Sequence, residues 1–199
     1  MLLDVQDSQL VLVDYQERLM PVIHQGQEVL QRAGFLAQVA HLMKVPLWGT
    51  EQNPSKLGAN APELRELCQQ TFAKMDFDAS QTSLVDALRP PARPQGNARS
   101  LPKHLQKASP PAQVRGSIVL AGVEAHVCLL QTALGLLEQD FEVWVVTDAC
   151  GSRRERDRDA AFDRLAGNGV ELVTSEMVAF EWLRQADHPQ FRQVLELLK

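Results

Sequence analysis

The sequence predicts an α/β fold of three layers, in which a mostly parallel sheet is covered by helices on both faces. Short, continuous apolar runs such as SIVLA at 117–121 and EVWVVTDA at 142–149 are typical of strands buried on both sides. Amphipathic helical stretches alternate with these runs, as they do in parallel sheets with helical crossovers. Neither an internal repeat nor a second domain is visible, so residues 1–199 are expected to form a single domain.

Composition and charge restrict the class of ligand. The chain has 199 residues, of which 45% are hydrophobic and 23% charged, and this is sufficient for a substantial core. Its formal net charge of -5 argues against a general affinity for nucleic acid or for an anionic membrane surface. A small neutral or polar molecule is therefore the expected ligand.

The cysteines and the first residues predict a cellular compartment. Cys68, Cys128 and Cys150 are an odd number without paired spacing, which fits neither a disulfide framework nor a zinc site. The opening MLLDVQDSQL carries acids where a signal peptide needs basic residues. No apolar run reaches the ~18 residues of a membrane span. We therefore expect a cytoplasmic protein without membrane association, metal or other cofactor.

The first strand of the chain ends in a carboxylate. The run SQLVLVD at 8–14 places Asp14 at the carboxyl edge of the sheet, where ligands of open α/β folds bind. An N-cap for the following turn is an equally good interpretation of Asp14. An amphipathic helix at 27–43 and a second strand, VPLWGT at 45–50, follow.

The third strand contributes a lysine to the same edge. A short helix at 62–70 begins with a favourable proline and contains Cys68, which we expect to be structural. The run TFAKM at 71–75 then places Lys74 near the edge that holds Asp14, although a solvated surface lysine is the simpler interpretation. A helix at 80–88 follows.

The composition changes between residues 89 and 115. This segment is crowded with proline, basic and small polar residues, and no buried helix or strand is recognisable in it. Long irregular segments in compact domains are usually inserts or lids. We expect a proline-rich insert, either mobile or ordered across the site.

The fourth strand leads into a turn that contains a cysteine. After SIVLA, the sequence GVEAHVC places Cys128 in the first turn of a helix that begins near 124–126. Unpaired N–H groups and the positive dipole end of a helix favour a thiolate there. Alternatively, Cys128 is a small buried apolar residue. The chain is completed by a strand at 142–149, a charged helix from about residue 153, a strand at 170–175 and helices at 177–183 and 191–198.

Three chemically active side chains are thus predicted at neighbouring strand ends. A cysteine that attacks a carbonyl carbon requires a proton acceptor and donors for the developing negative charge. Asp14 is suited to accept the thiol proton, and Lys74 to hold both groups ionised and assist proton transfer. Together with Cys128 they form a candidate catalytic triad.

These same residues carry a resemblance to a known family. The segments LVLVD with Asp14, TFAK with Lys74 and AGVEAHVC with Cys128 resemble the isochorismatase-like cysteine hydrolases. ALGLLEQDFEVWVVTDACGSR, LVTSEMV and DHPQFRQVLELLK resemble in particular the isochorismatase-domain-containing proteins. The resemblance implies a six-stranded sheet of Rossmann-like order 3-2-1-4-5-6, self-association into a homo-oligomer, and hydrolysis of a C–N bond through an acyl-enzyme on Cys128.

The resemblance also implies details of the site. It predicts a cis peptide bond between Val123 and Glu124, and an oxyanion hole made by the amides of Glu124 and Cys128. Metal-dependent relatives carry an aspartate and paired histidines after strand two, where this chain has Thr50 and EQN at 51–53, so metal-dependent nicotinamidase activity is not expected. True isochorismatases cleave a vinyl ether without a cysteine nucleophile, so that reaction is not expected either.

Four further residues are candidates for the substrate pocket. Tyr15, Glu51 and Gln52 follow strand ends, and His126 lies in the nucleophile turn. For Glu51 and Gln52 the simpler alternative is a solvated loop, and for His126 a hydrogen bond that supports the turn.

Two other functions remain open at this level. One is a non-catalytic interaction or scaffold protein that retains the fold. The other is a thiol redox sensor, in which Cys128 forms a sulfenate or a disulfide with Cys68 or Cys150.

Overall fold

The computed structural model describes residues 1–89 and 115–199, and six parallel strands form its central sheet. The strands are β1 (Ser8–Val13), β2 (Leu47–Gln52), β3 (Gln70–Lys74), β4 (Ser117–Gly122), β5 (Glu142–Val146) and β6 (Glu171–Val173). Their order across the sheet is β3-β2-β1-β4-β5-β6, and every pair of neighbours is parallel. The predicted α/β class and strand order are confirmed, and the sheet is entirely rather than mostly parallel.

The helices form the two outer layers. They are α1 (Gly26–Leu42), α2 (Pro54–Leu57), α3 (Pro62–Arg65), α4 (Leu84–Leu88), α5 (Leu130–Leu137), α6 (Glu155–Gly167), α7 (Ser175–Leu183) and α8 (Phe191–Leu197). Helix α1 packs against α7 and α8, whereas α5 packs against α6 and against the 3-10 turn that precedes α4. Within the described residues, every helix is too short or too polar to cross a membrane.

The two central strands carry the core. Every residue of β1 and β4 is buried, because helices cover both faces of the sheet. Their register pairs Val13 with Gly122 at the carboxyl end. The sheet order reverses between these two strands, which is the position where open α/β folds bind ligands.

The boundaries of β2 differ from the prediction in a way that matters for the site. The predicted strand at 45–50 lies at Leu47–Gln52 in the structure. The apolar pattern fades after Trp48, but pairing with β3 continues to Gln52, which lies opposite Lys74. Gln52 is therefore a strand residue and not part of a solvated loop.

The predicted insert at 89–115 lies, except for its two end residues, outside the described residues. One side chain binds both flanks of this insert: Nε2 of Gln9 donates to the carbonyl oxygen of Leu88, which precedes the insert, at 2.9 Å and to that of Arg115, its last residue, at 3.1 Å. Arg115 also donates to the carbonyl oxygen of Ser8. The chain therefore leaves and re-enters the described fold at adjacent points, beside the amino end of β1.

Gly122 is expected to tolerate no side chain. A Cβ atom at this position would lie 2.6 Å from both the Cβ and the carbonyl oxygen of Val13. We expect Gly122→Ala to lower the free energy of unfolding by about 1–3 kcal/mol, the usual cost of overpacking, in urea titrations. Gly167→Ala is the control, because a Cβ there meets nothing within 4 Å and alanine favours helix by up to ~1 kcal/mol. Equal effects of the two substitutions would contradict the prediction.

Candidate active site

The parallel sheet brings two charged side chains from separate strands into direct contact. Asp14 follows the last residue of β1, and Lys74 is the last residue of β3. Nζ of Lys74 lies 2.7 Å from Oδ2 of Asp14, and both side chains are completely buried. The predicted meeting of Asp14 and Lys74 at one sheet edge is therefore observed.

Thr50 on β2 completes the binding of the aspartate. Its Oγ1 donates to Oδ1 of Asp14 at 2.7 Å, and its carbonyl oxygen accepts the Asp14 N–H at 3.2 Å. Asp14 has a left-handed backbone conformation, with φ 59°. Thr50 was not among the residues predicted for the site. Its position was nevertheless predictable, because alternate residues of a strand share a face and Thr50 precedes Gln52 by two.

Gln52 links the ion pair to the cysteine. Its Oε1 accepts a hydrogen bond from Nζ of Lys74 at 2.7 Å and lies 3.9 Å from Sγ of Cys128. Its Nε2 donates to the carbonyl oxygen of Met75 at 2.7 Å. Gln52 was a candidate for the substrate pocket, and the structure brings it directly into the triad.

The Cys128 thiol is held in its protonated form. The pKa of Cys128 is raised to about 12, chiefly by burial and next by the charge and hydrogen bonding of Asp14, and the charge and hydrogen bonding of Lys74 oppose this rise. The direction of this shift opposes the thiolate that the sequence predicts at the helix start. Only 4% of the residue is exposed, and the loss of water around the sulfur outweighs the dipole effect of a helix start, which is typically about 0.3–1 kcal/mol.

The nucleophile turn has a different backbone from the predicted one. All described peptide bonds are trans, so the predicted cis bond between Val123 and Glu124 is absent. The chain instead reverses through Glu124, which has φ 52° and ψ 61°. Flanking hydrogen bonds fix the turn: the Val123 N–H donates to Val13 and the Ala125 N–H to Gly151.

A single wide turn follows, and it carries the cysteine. Residues Ala125–Leu129 form a π-helical turn that continues into α5. Such turns are frequent at functional sites. The N–H of Glu124 makes no hydrogen bond to the described residues, so it is free to donate to a ligand.

Two other pocket candidates, Tyr15 and Glu51, bind elsewhere in the protein. Tyr15 is completely buried, its hydroxyl donates to the carbonyl oxygen of Ala149, and burial raises its pKa. Glu51 points to the opposite face of β2 from Gln52, where it accepts from the Asn60 N–H at 2.9 Å. The structure does not bring either side chain to the triad.

His126 supports the turn. Its Nδ1 lies 3.0 Å from Oγ of Ser152 and 3.4 Å from Oε2 of Glu124. The other carboxylate oxygen of Glu124 pairs with Nε of Arg153 at 2.6 Å. These contacts match the local hydrogen bond considered for His126 and tie the nucleophile turn to the segment after β5.

The remaining cysteines are free and poorly suited to oxidation. None of the three cysteines forms a disulfide. Burial raises the pKa of Cys68 to about 11 and that of Cys150 to about 12. Because the thiolate is the form that reacts with oxidants, these values argue against thiol redox sensing.

The rest of the described surface offers no competing arrangement of this kind. Within residues 1–89 and 115–199, no group of three or more His, Cys, Asp or Glu side chains is placed to hold a metal ion. Two surface hollows lie away from the triad, one at the start of α1 and the other between α1 and α8. We place the site at the triad because charge pairing and burial converge there.

The doubly wound sheet carries a cluster of polar side chains at its carboxyl edge, beside the topological switch point where open α/β folds bind ligands. The chain belongs to the isochorismatase family, whose domain model (Isochorismatase domain) matches residues 8–177. Membership of this family of hydrolases supports a hydrolase function.

Relatives extend over nearly the whole chain. Isochorismatase domain-containing protein 2 of Bos taurus is 37% identical over 192 residues, which are 96% of this chain and 83% of the relative. The structure of MAR1 ribonuclease from Caenorhabditis elegans is 29% identical, with a TM-score of 0.83, and the match covers 100% of this chain and 92% of that one.

A bacterial structure shares the fold. Escherichia coli YcaC, described as an octameric hydrolase of unknown specificity, has a TM-score of 0.78 at 23% identity, and the match covers 98% of this chain and 95% of that one. At this identity the similarity supports the fold alone.

Removal of the Thr50 hydroxyl tests the binding of the aspartate. We expect Thr50→Val to lower the free energy of unfolding by about 1.5–3 kcal/mol, the range for a hydrogen bond to a charged group. Thr147→Val is the control, because its hydroxyl donates to the neutral carbonyl oxygen of Val173 and should contribute about 0.5–1.5 kcal/mol. A smaller loss for Thr50→Val than for the control in urea titrations would contradict a charged acceptor.

The reactivity of Cys128 should follow its raised pKa. We expect alkylation by iodoacetamide, followed at Cys128 by peptide mass spectrometry, to accelerate about tenfold per pH unit from about pH 7 to about pH 10. The thiolate fraction increases by that factor below a pKa of about 12. A short cysteine peptide with blocked ends is the control and should level off near the ordinary cysteine pKa of about 8.5. If the alkylation rate of Cys128 levels off at the same pH as that of the control, the raised pKa of Cys128 is contradicted.

Proposed function

We propose that this protein hydrolyses an amide-type C–N bond of a small molecule through a thioester intermediate on Cys128. The observation that carries the proposal is the completely buried ion pair between Asp14 and Lys74 beside the thiol. Two charges removed from water generally cost more than their attraction returns. A catalytic role therefore explains this buried ion pair better than a contribution to the stability of the fold does.

The first half of the reaction forms the thioester. Asp14 accepts the thiol proton as the Cys128 sulfur attacks the carbonyl carbon, and the carbonyl electrons move to oxygen. The N–H groups of Glu124 and Cys128 bind this oxyanion. When the carbonyl re-forms, the C–N bond breaks, and the proton held by Asp14 passes to the leaving nitrogen. The amine or ammonia departs and the acyl group remains on sulfur.

The second half restores the thiol. Asp14 removes a proton from a water molecule, whose oxygen attacks the thioester carbon. Collapse of this second tetrahedral intermediate breaks the C–S bond and releases a carboxylic acid, and the sulfur recovers its proton. Lys74 remains charged throughout and stabilises whichever anion stands beside it. The raised pKa of the free thiol agrees with proton transfer to Asp14 during attack rather than before it.

Phosphodiester cleavage is the second candidate, because the C. elegans relative is called a ribonuclease. Phosphoryl chemistry relies on cations around the phosphate oxygens. Of the side chains in the described triad only Lys74 is cationic, and it already binds Asp14, Gln52 and the carbonyl oxygen of Phe77. The formal net charge of -5 also disfavours RNA. We therefore favour a small amide.

Assembly and location belong to the same proposal. We propose that the protein forms homo-oligomers through the helices that flank its sheet. YcaC, which shares the fold, is described as octameric. We propose the cytoplasm as its compartment, because three free cysteines are typical of a reducing environment.

Cys128 variants test the acyl-enzyme. A panel of small primary amides and N-substituted amides, with a short single-stranded RNA as a separate arm, is assayed for released amine or ammonia and for RNA cleavage. We expect amide turnover, and an acid quench should trap an acyl adduct on Cys128 that mass spectrometry locates. Cys128→Ala should abolish turnover and Asp14→Asn should reduce it by about 10²–10⁴-fold, the usual contribution of a general base. Cys68→Ala is the matched control and should retain activity.

Undiminished turnover in Cys128→Ala would contradict the nucleophile. RNA cleavage without amide turnover would favour the phosphodiester alternative. If neither substrate reacts and Cys128 cannot be alkylated at any pH, a non-catalytic interaction protein becomes the better interpretation.

A further inference from the structure

The three hydrogen bonds that the Lys74 ammonium donates all go to oxygen atoms. A lysine side chain carries three N–H donors. Nζ of Lys74 donates to Oδ2 of Asp14 at 2.7 Å, to Oε1 of Gln52 at 2.7 Å and to the carbonyl oxygen of Phe77 at 3.3 Å. The cation that could best stabilise a thiolate is thus fully occupied by oxygen atoms.

The orientation of the Gln52 side chain is fixed by its other end. Nε2 donates to the carbonyl oxygen of Met75 at 2.7 Å. A flipped amide would place its NH₂ against the Lys74 ammonium and its oxygen against that carbonyl, which is unfavourable at both ends. The observed assignment, with oxygen towards Lys74, is therefore the one that the surroundings require.

The backbone of Gln52 is held as firmly as its side chain. The Gln16 carboxamide accepts from the Gln52 N–H at 2.8 Å and donates to the Gln52 carbonyl oxygen at 3.0 Å. Lys74 is the strand partner of Gln52 in the β2–β3 register. This bonding exceeds what a residue that merely lines a pocket requires.

We propose that Gln52 is a positioning residue that binds the Lys74 ammonium, so that Lys74 serves Asp14 and not the Cys128 sulfur until a substrate is bound. The inference rests on the proposed function, because it assigns Gln52 a part in controlling the same nucleophile. Its role is to keep the resting thiol protonated and unreactive. When Asp14 accepts the thiol proton during the attack, it loses its negative charge and binds Lys74 less strongly. The Lys74 N–H that it held can then turn towards the negative charge that the attack creates.

The test uses iodoacetamide alkylation of Cys128 as a function of pH, which requires no substrate. In Gln52→Met one N–H of Lys74 is freed and can turn to the sulfur, only 3.9 Å from the lost oxygen. We expect alkylation at pH 7.5 to be about tenfold faster than in the unmodified protein, the change that corresponds to one pKa unit. The side chain in Gln52→Asn is too short for its oxygen to reach Lys74, so this variant should also accelerate alkylation. It replaces Gln52→Met in the test if the methionine variant does not fold.

Three controls isolate the effect. Gln139→Met replaces a half-buried glutamine that donates to the Ser80 carbonyl oxygen, and it should leave alkylation unchanged. Gln52→Glu retains an acceptor for Lys74, so it should not accelerate alkylation. In a Lys74→Met background Gln52→Met should have no further effect, because residues that act through one another are not additive.

Reactivity and turnover should move in opposite directions. For any amide that the unmodified protein hydrolyses, we expect Gln52→Met to lower kcat about tenfold or more with KM nearly unchanged, while alkylation accelerates. Partial unfolding would also expose the buried Cys150, so alkylation of Cys150, followed in the same mass spectra, should stay unchanged. Unchanged alkylation in Gln52→Met and Gln52→Asn, or an equal acceleration in the Lys74→Met background, would overturn the inference. If alkylation shifts as expected and no amide is hydrolysed, the control by Gln52 stands and the proposed reaction fails.

Discussion

The ion pair between Asp14 and Lys74 constrains everything around it. Two opposite charges with completely buried side chains lose hydration worth several kcal/mol each, by the usual order of magnitude, so their remaining hydrogen-bonding capacity must be met by protein atoms. The strand between them supplies those atoms, with Thr50 on the aspartate and Gln52 on the lysine. The strand order β3-β2-β1 therefore has a chemical role, because β2 supplies a neutral donor to Asp14 and a neutral acceptor to Lys74.

The sequence predicts the sheet and the triad because both follow from general rules. Apolar runs mark buried strands, and parallel strands end at one edge, so Asp14 and Lys74 are expected together. The sequence does not predict that Gln52 faces the triad and Glu51 the opposite side of β2. A shift of one residue in the register of a strand moves each side chain to the other face. The protonation state of Cys128 was not predictable either, since it depends on burial and on partners that are distant in sequence.

The nucleophile turn shows a second limit. The motif identifies where the cysteine lies, but the backbone that presents it depends on contacts made by other elements. Val13 and Gly151 hold the two sides of the turn, and Gly122 leaves no space for a side chain against Val13. Local sequence contains none of these partners, so the left-handed Glu124 and the trans peptide bond before it are properties of the assembled fold.

The two hydrogen bonds that Gln9 donates to Leu88 and Arg115 have a consequence for how this fold can vary. By binding the carbonyl oxygens of Leu88 and Arg115 with one nitrogen, Gln9 closes the chain at the amino edge of the sheet, opposite the edge that carries the triad. The entropic cost of joining two fixed, neighbouring chain ends increases only slowly with the number of residues between them. We therefore expect the chain to tolerate circular permutation, domain insertion or exchange of the intervening segment between Leu88 and Arg115. Such changes would not displace the strands that carry the proposed catalytic side chains.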